Sequence, residues 1–311
     1  MSKLTENSIE TFAIETLQEL GWDYVHGLAI APGAESAERE SFEQIILTHR
    51  LRKAVAKLNP DIPVDAQEQA VQKVLRIYSP DLLHNNETFH QFLVEKIKIP
   101  YQQDGYERSY EVSLIDFDNP LNNEFLAVNQ YTIIENNQNK RPDILLFVNG
   151  IPLVIIELKN AADENATIGK AYDQMQTYKA TIPSLFTYNA VCVISDGMEC
   201  RAGSVSAGFS RYMAWKSADG KADASRFSPQ LETLINGMLN PATLLDIVRN
   251  FIVFEKSKKE DPKTGIIKIE TEKKLTAYHQ YYAVNKAVES TLKAASADGN
   301  RKGGVVWHTQ G

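Results

Sequence analysis

Residues 141–160 read RPDILLFVNGIPLVIIELKN, two apolar runs joined by an Asn-Gly pair. Asn-Gly between two apolar runs is a strong signal for a tight β-hairpin. Glu157 and Lys159 interrupt the end of the second run, and Asp143 precedes the first. Because a hairpin brings the start of its first strand to the end of its second, we predict that these three charged residues meet at one end of the hairpin.

The hairpin loop decides which faces the two acids occupy. With a two-residue loop at Asn149-Gly150, Asp143 would pair with Ile156, and Glu157 would point to the other face. A three-residue loop, or a bulge near Pro152, would instead place Asp143 opposite Glu157. Since a shared site needs both acids on one face, we predict that this hairpin is not a simple two-residue one.

Two carboxylates and an ammonium at a strand end indicate a site for a hard divalent cation and an anionic substrate. Magnesium prefers oxygen ligands, typically one or two carboxylates completed by water and phosphate oxygens. The metal activates water and neutralises phosphoryl charge, while Lys159 can orient the attacking water or stabilise charge in the transition state. The alternative is a purely structural ion pair between Glu157 and Lys159.

Other elements are predicted from hydrophobic periodicity. The pattern predicts helices over about 5–20, 41–58, 64–78, 86–98, 166–181 and 276–294, and strands over 110–115, 125–134, 144–148, 151–158, 190–195, 251–255 and 304–307. Strands mixed with a crossover helix indicate an α/β sheet.

Two helices carry polar residues in informative positions. Glu10 falls inside the apolar arc of the first helix, where an acid is costly unless it is paired or binds a metal; a place at the wet edge of the arc is the alternative. Gln174 and Tyr178 are four residues apart and share a helix face. They suit contacts with a nucleotide or a catalytic carboxylate, although ordinary surface and core roles are the commoner use of such a pair.

Composition limits the protein class. The 311 residues are 43% hydrophobic and 23% charged, which supports a globular core and more than one domain. The net charge is −7, so any contact with nucleic acid must be local or shared with partners. Cys192 and Cys200 provide no disulfide or zinc framework. No apolar run is long enough for a membrane span, and we expect a cytoplasmic protein without a membrane partner.

The motifs resemble the restriction (R) subunit of type I restriction-modification enzymes from about residue 85 to the end. The residues that carry this resemblance are Asp116-Phe117, Asn129-Gln130, Arg141–Asp143, Glu157–Lys159, Ser195–Gly197, Ala202-Gly203, Trp215-Lys216 and Tyr278–Gln280. The resemblance implies an α/β fold of the PD-(D/E)xK type, a mixed sheet flanked by helices. A truncated RecA-like motor fragment would follow it.

The resemblance also implies roles for the candidate site residues. The catalytic set comprises Asp143, Glu157, Lys159 and Glu10, with Glu6 and Glu15 as weaker candidates for the acid of the first helix. Asp143, Glu157 and the Leu158 carbonyl would hold Mg²⁺, for which Mn²⁺ can substitute. Gln174 and Tyr178 match the Q-x-x-x-Y motif of RecB-like nucleases and would support or bind DNA.

The tail resembles the start of a helicase-like ATPase. Residues 1–255 are then an endonuclease domain with a helical N-terminal part, and 256–311 a truncated start of the motor. The resemblance implies that Gln280 belongs to an element that recognises adenine, and that Thr309, Gln310 and Gly311 open a phosphate loop. The Lys and Ser/Thr that such a loop needs are not reached, so we expect an incomplete nucleotide site.

The resemblance implies a Mg²⁺-dependent endonuclease that cleaves double-stranded DNA after ATP-driven translocation. Its partners would be a specificity subunit and a modification subunit, the latter using S-adenosylmethionine. Two alternatives stay open. In the first, the chain is mainly an assembly and control module that docks the motor on the methyltransferase core. In the second, it is a free-standing RecB-like nuclease, which the motor-like tail disfavours.

Overall fold

The computed structural model describes residues 6–159, 167–225, 228–260 and 267–306. The strands, in chain order, are β1 Asp23–His26, β2 Ile97–Gln103, β3 Tyr106–Val112, β4 Phe125–Asn129, β5 Ile133–Glu135, β6 Gln138–Lys140, β7 Ile144–Val148, β8 Ile151–Leu158, β9 Val191–Ser195, β10 Cys200–Gly203, β11 Ile252–Glu260 and β12 Ile267–Leu275. The helices are α1 Glu6–Glu19, α2 Thr48–Leu58, α3 Val64–Leu75, α4 Leu82–Val94, α5 Ile168–Thr181, α6 Pro183–Thr187, α7 Gln230–Met238, α8 Pro241–Asn250 and α9 Tyr278–Ala295.

A six-stranded mixed sheet forms the centre, in the spatial order β1-β4-β7-β8-β9-β10. The pairs β1–β4 and β8–β9 are parallel, whereas β4–β7, β7–β8 and β9–β10 are antiparallel. Every residue of β4, β7, β8 and β9 is buried, as their apolar sequences require. Helix α5 packs on β8 and β9, and α1 packs between α7 and the sheet. The predicted α/β class is confirmed.

The hairpin β7–β8 turns at Asn149 and Gly150, whose φ angles are 52° and 79°. Two successive positive φ angles define the tight hairpin turn that Asn-Gly favours. Between this turn and the end of the hairpin the register shifts by one residue. Val148 pairs with Ile151, but Ile144 pairs with Ile156, with the irregularity between Leu146 and Phe147.

This bulge confirms the predicted irregularity. The turn has two residues, as the Asn-Gly pair indicates, yet the shift sets the register in which Asp143 stands across from Glu157. A bulge adds one residue to one strand and so exchanges the faces of the residues beyond it.

Several predicted elements differ in the structure, among them the helix predicted over 86–98, which ends at Val94 and is followed by β2 from Ile97. Helix α2 begins at Thr48 rather than near residue 41, because Ile45, Ile46 and Leu47 are buried consecutively and the Leu47 N–H donates to the Gly150 carbonyl. The strand predicted over 125–134 is broken into β4 and β5 at Gln130, which has φ 52°. Residues 304–306 have no regular structure, so the strand predicted there is wrong in its described part.

The C-terminal part forms the hairpin β11–β12 and the long helix α9. The predicted boundary between residues 255 and 256 falls inside β11, and the division into two domains stays a prediction. Nothing in the described residues forms a RecA-like unit. None of the described helices combines the length and the apolar character that a lipid bilayer would demand.

Candidate active site

The three charged residues of the central hairpin come together at one end of β7 and β8. Asp143 directly precedes β7, Glu157 lies in β8, and Lys159 directly follows it. The Leu158 N–H donates to Oδ2 of Asp143 at 2.7 Å, and this bond fastens Asp143 to the strand that carries the other two. Asp143 is 8% exposed and Glu157 only 2%. Two acids are thus placed side by side in a largely dry environment.

Lys159 offsets part of this negative charge. Its Nζ donates to Oε1 of Glu157 at 2.5 Å and to the Leu158 carbonyl at 3.0 Å. A buried carboxylate is costly unless a cation or several donors accompany it. The ammonium therefore lies on two of the oxygens that were predicted to hold a metal.

The donors fit a hard divalent cation with a small protein ligand set. They are two carboxylates and one backbone carbonyl, all oxygen, which matches the preference of Mg²⁺ and Mn²⁺ over that of soft metals. Within the described ranges no three His, Cys, Asp or Glu side chains form a group that could hold a metal. Water and substrate oxygens would complete the coordination, as is usual for Mg²⁺.

Helix α5 places Tyr178 near the same end of the hairpin. The Tyr178 hydroxyl donates to the Arg141 carbonyl at 3.3 Å. Burial, and then the negative charges of Glu157 and Asp143, raise the pKa of Tyr178. A hydrogen bond with Gln174 opposes this rise in the pKa. The phenol stays protonated and supports the segment that enters β7.

Glu10 is the acid of α1 that turns into the protein. It is 7% exposed, whereas Glu15 is exposed and the side chain of Glu6 lies outside the described part of the chain. The Glu10 carboxylate accepts from Asn129 Nδ2 at 2.6 Å and from Gln130 Nε2 at 2.7 Å. Gln130 in turn donates its N–H to the Asp143 carbonyl at 2.9 Å. The paired arrangement, rather than the wet edge of the helix, is what the structure shows for Glu10.

A pocket of about 650 Å³ opens beside these acids. Its lining includes Glu10, Tyr24, His26, Gln130, Arg141 and Asp143. Tyr24 and His26 were missed as site residues because β1 is short and polar and gives no hydrophobic signal. The polar pair Asn129-Gln130 at the end of a buried strand was the available signal for the Glu10 partners.

Of the predicted nucleotide residues, Gln280 is the one that lies in the described part of the chain. Gln280 is exposed, and its Oε1 accepts from the Ala277 N–H at 3.1 Å, which caps the start of α9. Thr309, Gln310 and Gly311 lie outside the described residues. Their role in nucleotide binding stays a prediction.

Comparison with known proteins places these residues in a family context. The family model described as type I restriction enzyme R protein N terminus matches residues 3–211. The type I restriction enzyme HindI endonuclease subunit of Haemophilus influenzae is 42% identical over 99% of this chain and 29% of the relative. A putative type I restriction enzyme endonuclease subunit, MjaIXP, of Methanocaldococcus jannaschii is 32% identical over 100% of this chain and 30% of the relative. The chain therefore spans less than a third of the length of these two relatives.

Proposed function

Since the chain belongs to the family of type I restriction enzyme R protein N-terminal regions, we propose that it carries the DNA-cleaving site of such an enzyme. The reaction is the Mg²⁺-dependent hydrolysis of backbone phosphodiesters in double-stranded DNA. The observation that carries the proposal is the convergence of Asp143, Glu157 and Lys159 at the bulged hairpin.

Each residue has a distinct part in the proposed reaction. Asp143, Glu157 and the Leu158 carbonyl would hold Mg²⁺, which supplies Lewis acidity and neutralises phosphoryl charge when bound. Lys159 is held within hydrogen-bond distance of Glu157 Oε1 and the Leu158 carbonyl, so its ammonium can orient the attacking water or donate to a phosphoryl oxygen. Tyr178 holds the segment before Asp143 in place through the Arg141 carbonyl.

The rest of the proposal concerns the complete enzyme. ATP-driven translocation by the remainder of the subunit would deliver DNA to this site. A specificity subunit would recognise the DNA sequence, and a modification subunit would bind S-adenosylmethionine. This division of labour is compatible with the net charge of −7, because the chain need not hold DNA alone.

Plasmid cleavage by the full-length subunit with its partner subunits tests the proposal. We expect Asp143→Ala to lose cleavage by about 100-fold or more, the scale of losing a key transition-state contact, while complex assembly and ATP-dependent translocation persist. Asp65→Asn, at the exposed start of α3, is the control and should cleave normally. An Asp143→Ala enzyme that assembles, translocates and still cleaves would refute the nuclease proposal and leave the assembly and control role.

A further inference from the structure

The pocket beside the acids is built from the ends of several elements. Glu10 comes from α1, His26 ends β1, Gln130 follows β4, and Arg141 and Asp143 precede β7. Asp143 thus belongs both to this pocket and to the proposed metal site. We propose that the pocket binds a backbone phosphate of DNA next to the scissile one, with Arg141 and His26 as the residues that contact it. This inference rests on the proposed nuclease function.

Arg141 offers a free guanidinium on a fixed backbone. The side chain is exposed, and within the described ranges its guanidinium makes no hydrogen bond or ion pair. Its carbonyl accepts from Tyr178, and both residues that follow it, Pro142 and Asp143, are buried. Since the planar guanidinium matches two phosphate oxygens at once, a restrained arginine at the pocket wall is suited to a phosphodiester.

His26 is oriented by its own loop. Its Nδ1 accepts from the Leu28 N–H at 3.2 Å, so in the neutral ring the proton is on Nε2 and can be donated to a ligand. The next residue, Gly27, donates its N–H to the Asn129 carbonyl at 2.9 Å. A Cβ at Gly27 would lie 2.7 Å from that oxygen. Only glycine permits this approach, which holds His26 beside the end of β4.

The charges of the pocket explain why these two donors are needed. Glu10, Glu15 and Asp143 all line it, and three carboxylates would repel a phosphate. Both oxygens of Glu10 already accept amide hydrogen bonds, which spreads part of its charge over neutral donors. Arg141 and His26 supply the positive and donor groups that offset the remainder.

DNA binding by the full chain tests the inference. The probe is a labelled 30-base-pair duplex, titrated over a range of salt concentrations with Ca²⁺ replacing Mg²⁺ so that binding is measured without turnover. We expect Arg141→Gln to weaken binding about tenfold, the scale of one lost charge-assisted hydrogen bond, and to reduce the salt slope by about one. Arg141→Lys should restore the slope, and His26→Gln should weaken binding by a smaller factor.

Arg108→Gln is the matched control. It removes the same charge from an exposed position on β3, in a separate two-stranded sheet, and should bind like the wild type. If the wild type cleaves and binds DNA but Arg141→Gln keeps its affinity and salt slope, the phosphate assignment is wrong and the nuclease proposal stands. If the wild type neither binds nor cleaves DNA, both fail. Equal weakening of binding by Arg141→Gln and Arg108→Gln would show a general charge effect and also overturn the assignment.

Discussion

The position of Lys159 is compatible with both the structural role and the proposed catalytic role. At 2.5 Å from Glu157, its ammonium stabilises a carboxylate that is 2% exposed, which is the structural ion pair that the sequence leaves open. The same ammonium also contacts the Leu158 carbonyl, at the place where the proposed chemistry needs a donor. The structural and catalytic interpretations therefore describe the same geometry.

Substitution of Lys159 separates these roles. We expect Lys159→Met to lower kcat of cleavage by about 100- to 1,000-fold, since a lost donor to transition-state charge costs about 2.7–4 kcal/mol. The affinity for Mn²⁺, measured by calorimetry, should stay the same or rise because a competing cation is gone. Lys170→Met, at an exposed position of α5, serves as the control. A folded Lys159→Met protein with wild-type kcat would restrict Lys159 to the ion pair.

Lys273 is buried although the sequence around it is typical of an exposed strand. The segment 267–275 alternates charges and looks solvated, yet Lys273 is 3% exposed and its Nζ donates to the Asn189 carbonyl at 2.6 Å. Burial lowers its pKa to about 7. Only the packing of β12 against the loop that precedes β9 creates this environment, so no local pattern could have predicted it.

The buried ammonium gives stability a defined pH dependence. Because the pKa of Lys273 is about 7 in the folded chain and about 10.4 when exposed, its penalty is full below pH 7 and fades as the pH rises towards 10. We expect Lys273→Met to raise the free energy of unfolding at pH 6 by about 1–4 kcal/mol, with the gain shrinking at alkaline pH. Asn86 Nδ2 still donates to the Asn189 carbonyl, so that acceptor stays satisfied.

Denaturant unfolding between pH 6 and pH 10 measures this effect. Lys274→Met is the control, since its side chain is 55% exposed on the same strand, and it should change stability little at any pH. A Lys273→Met protein that is less stable than the wild type at pH 6 would contradict the assigned charge penalty.

Among the secondary-structure elements, the central hairpin was the most predictable. Its strand bounds followed from two continuous apolar runs on either side of Asn-Gly, and its irregularity followed from the requirement that two acids share a face. The strand β1 was not predicted, since four largely polar residues carry no periodic signal. It joins the sheet through parallel pairing with β4, a long-range contact that local sequence does not encode.

Substitution of Gly150 tests how the turn of the central hairpin contributes to stability. Gly150 has φ 79°, and a Cβ there would lie 2.5 Å from the Leu47 carbonyl oxygen. We expect Gly150→Ala to lower the free energy of unfolding by about 2–5 kcal/mol, from strained φ and overpacking combined. Loss of the turn should also displace Asp143 and reduce cleavage.

A substitution at Gly105 distinguishes the cost of backbone strain from the cost of steric crowding around a new Cβ. Gly105 ends the turn between β2 and β3 with φ 78°, and nothing lies within 4 Å of a Cβ placed there. Gly105→Ala should therefore cost only the backbone strain, about 1–2 kcal/mol, and leave cleavage unchanged. Equal denaturation midpoints for the two variants would contradict the assigned packing of Gly150 against Leu47.

For the whole molecule, sequence predicted the fold class better than it predicted the bounds of the elements. Composition and mixed strand signals were sufficient for an α/β sheet, and the three charged residues of the hairpin met as expected. The segment that was predicted to begin the motor contacts the sheet domain, since Ser204 Oγ donates to the Lys273 carbonyl. Such contacts join segments far apart in sequence, which is why the division at residue 255 cannot be judged from local patterns.

Asp143, Glu157 and the Leu158 carbonyl are proposed to form a cation site next to Lys159. Anomalous diffraction from crystals soaked in Mn²⁺ tests it most directly. We predict one strong peak bounded by these three groups, with the Lys159 ammonium withdrawn from Glu157, and no such peak in Glu157→Ala crystals. A saturated crystal with no peak there and Lys159 still paired with Glu157 would contradict the account.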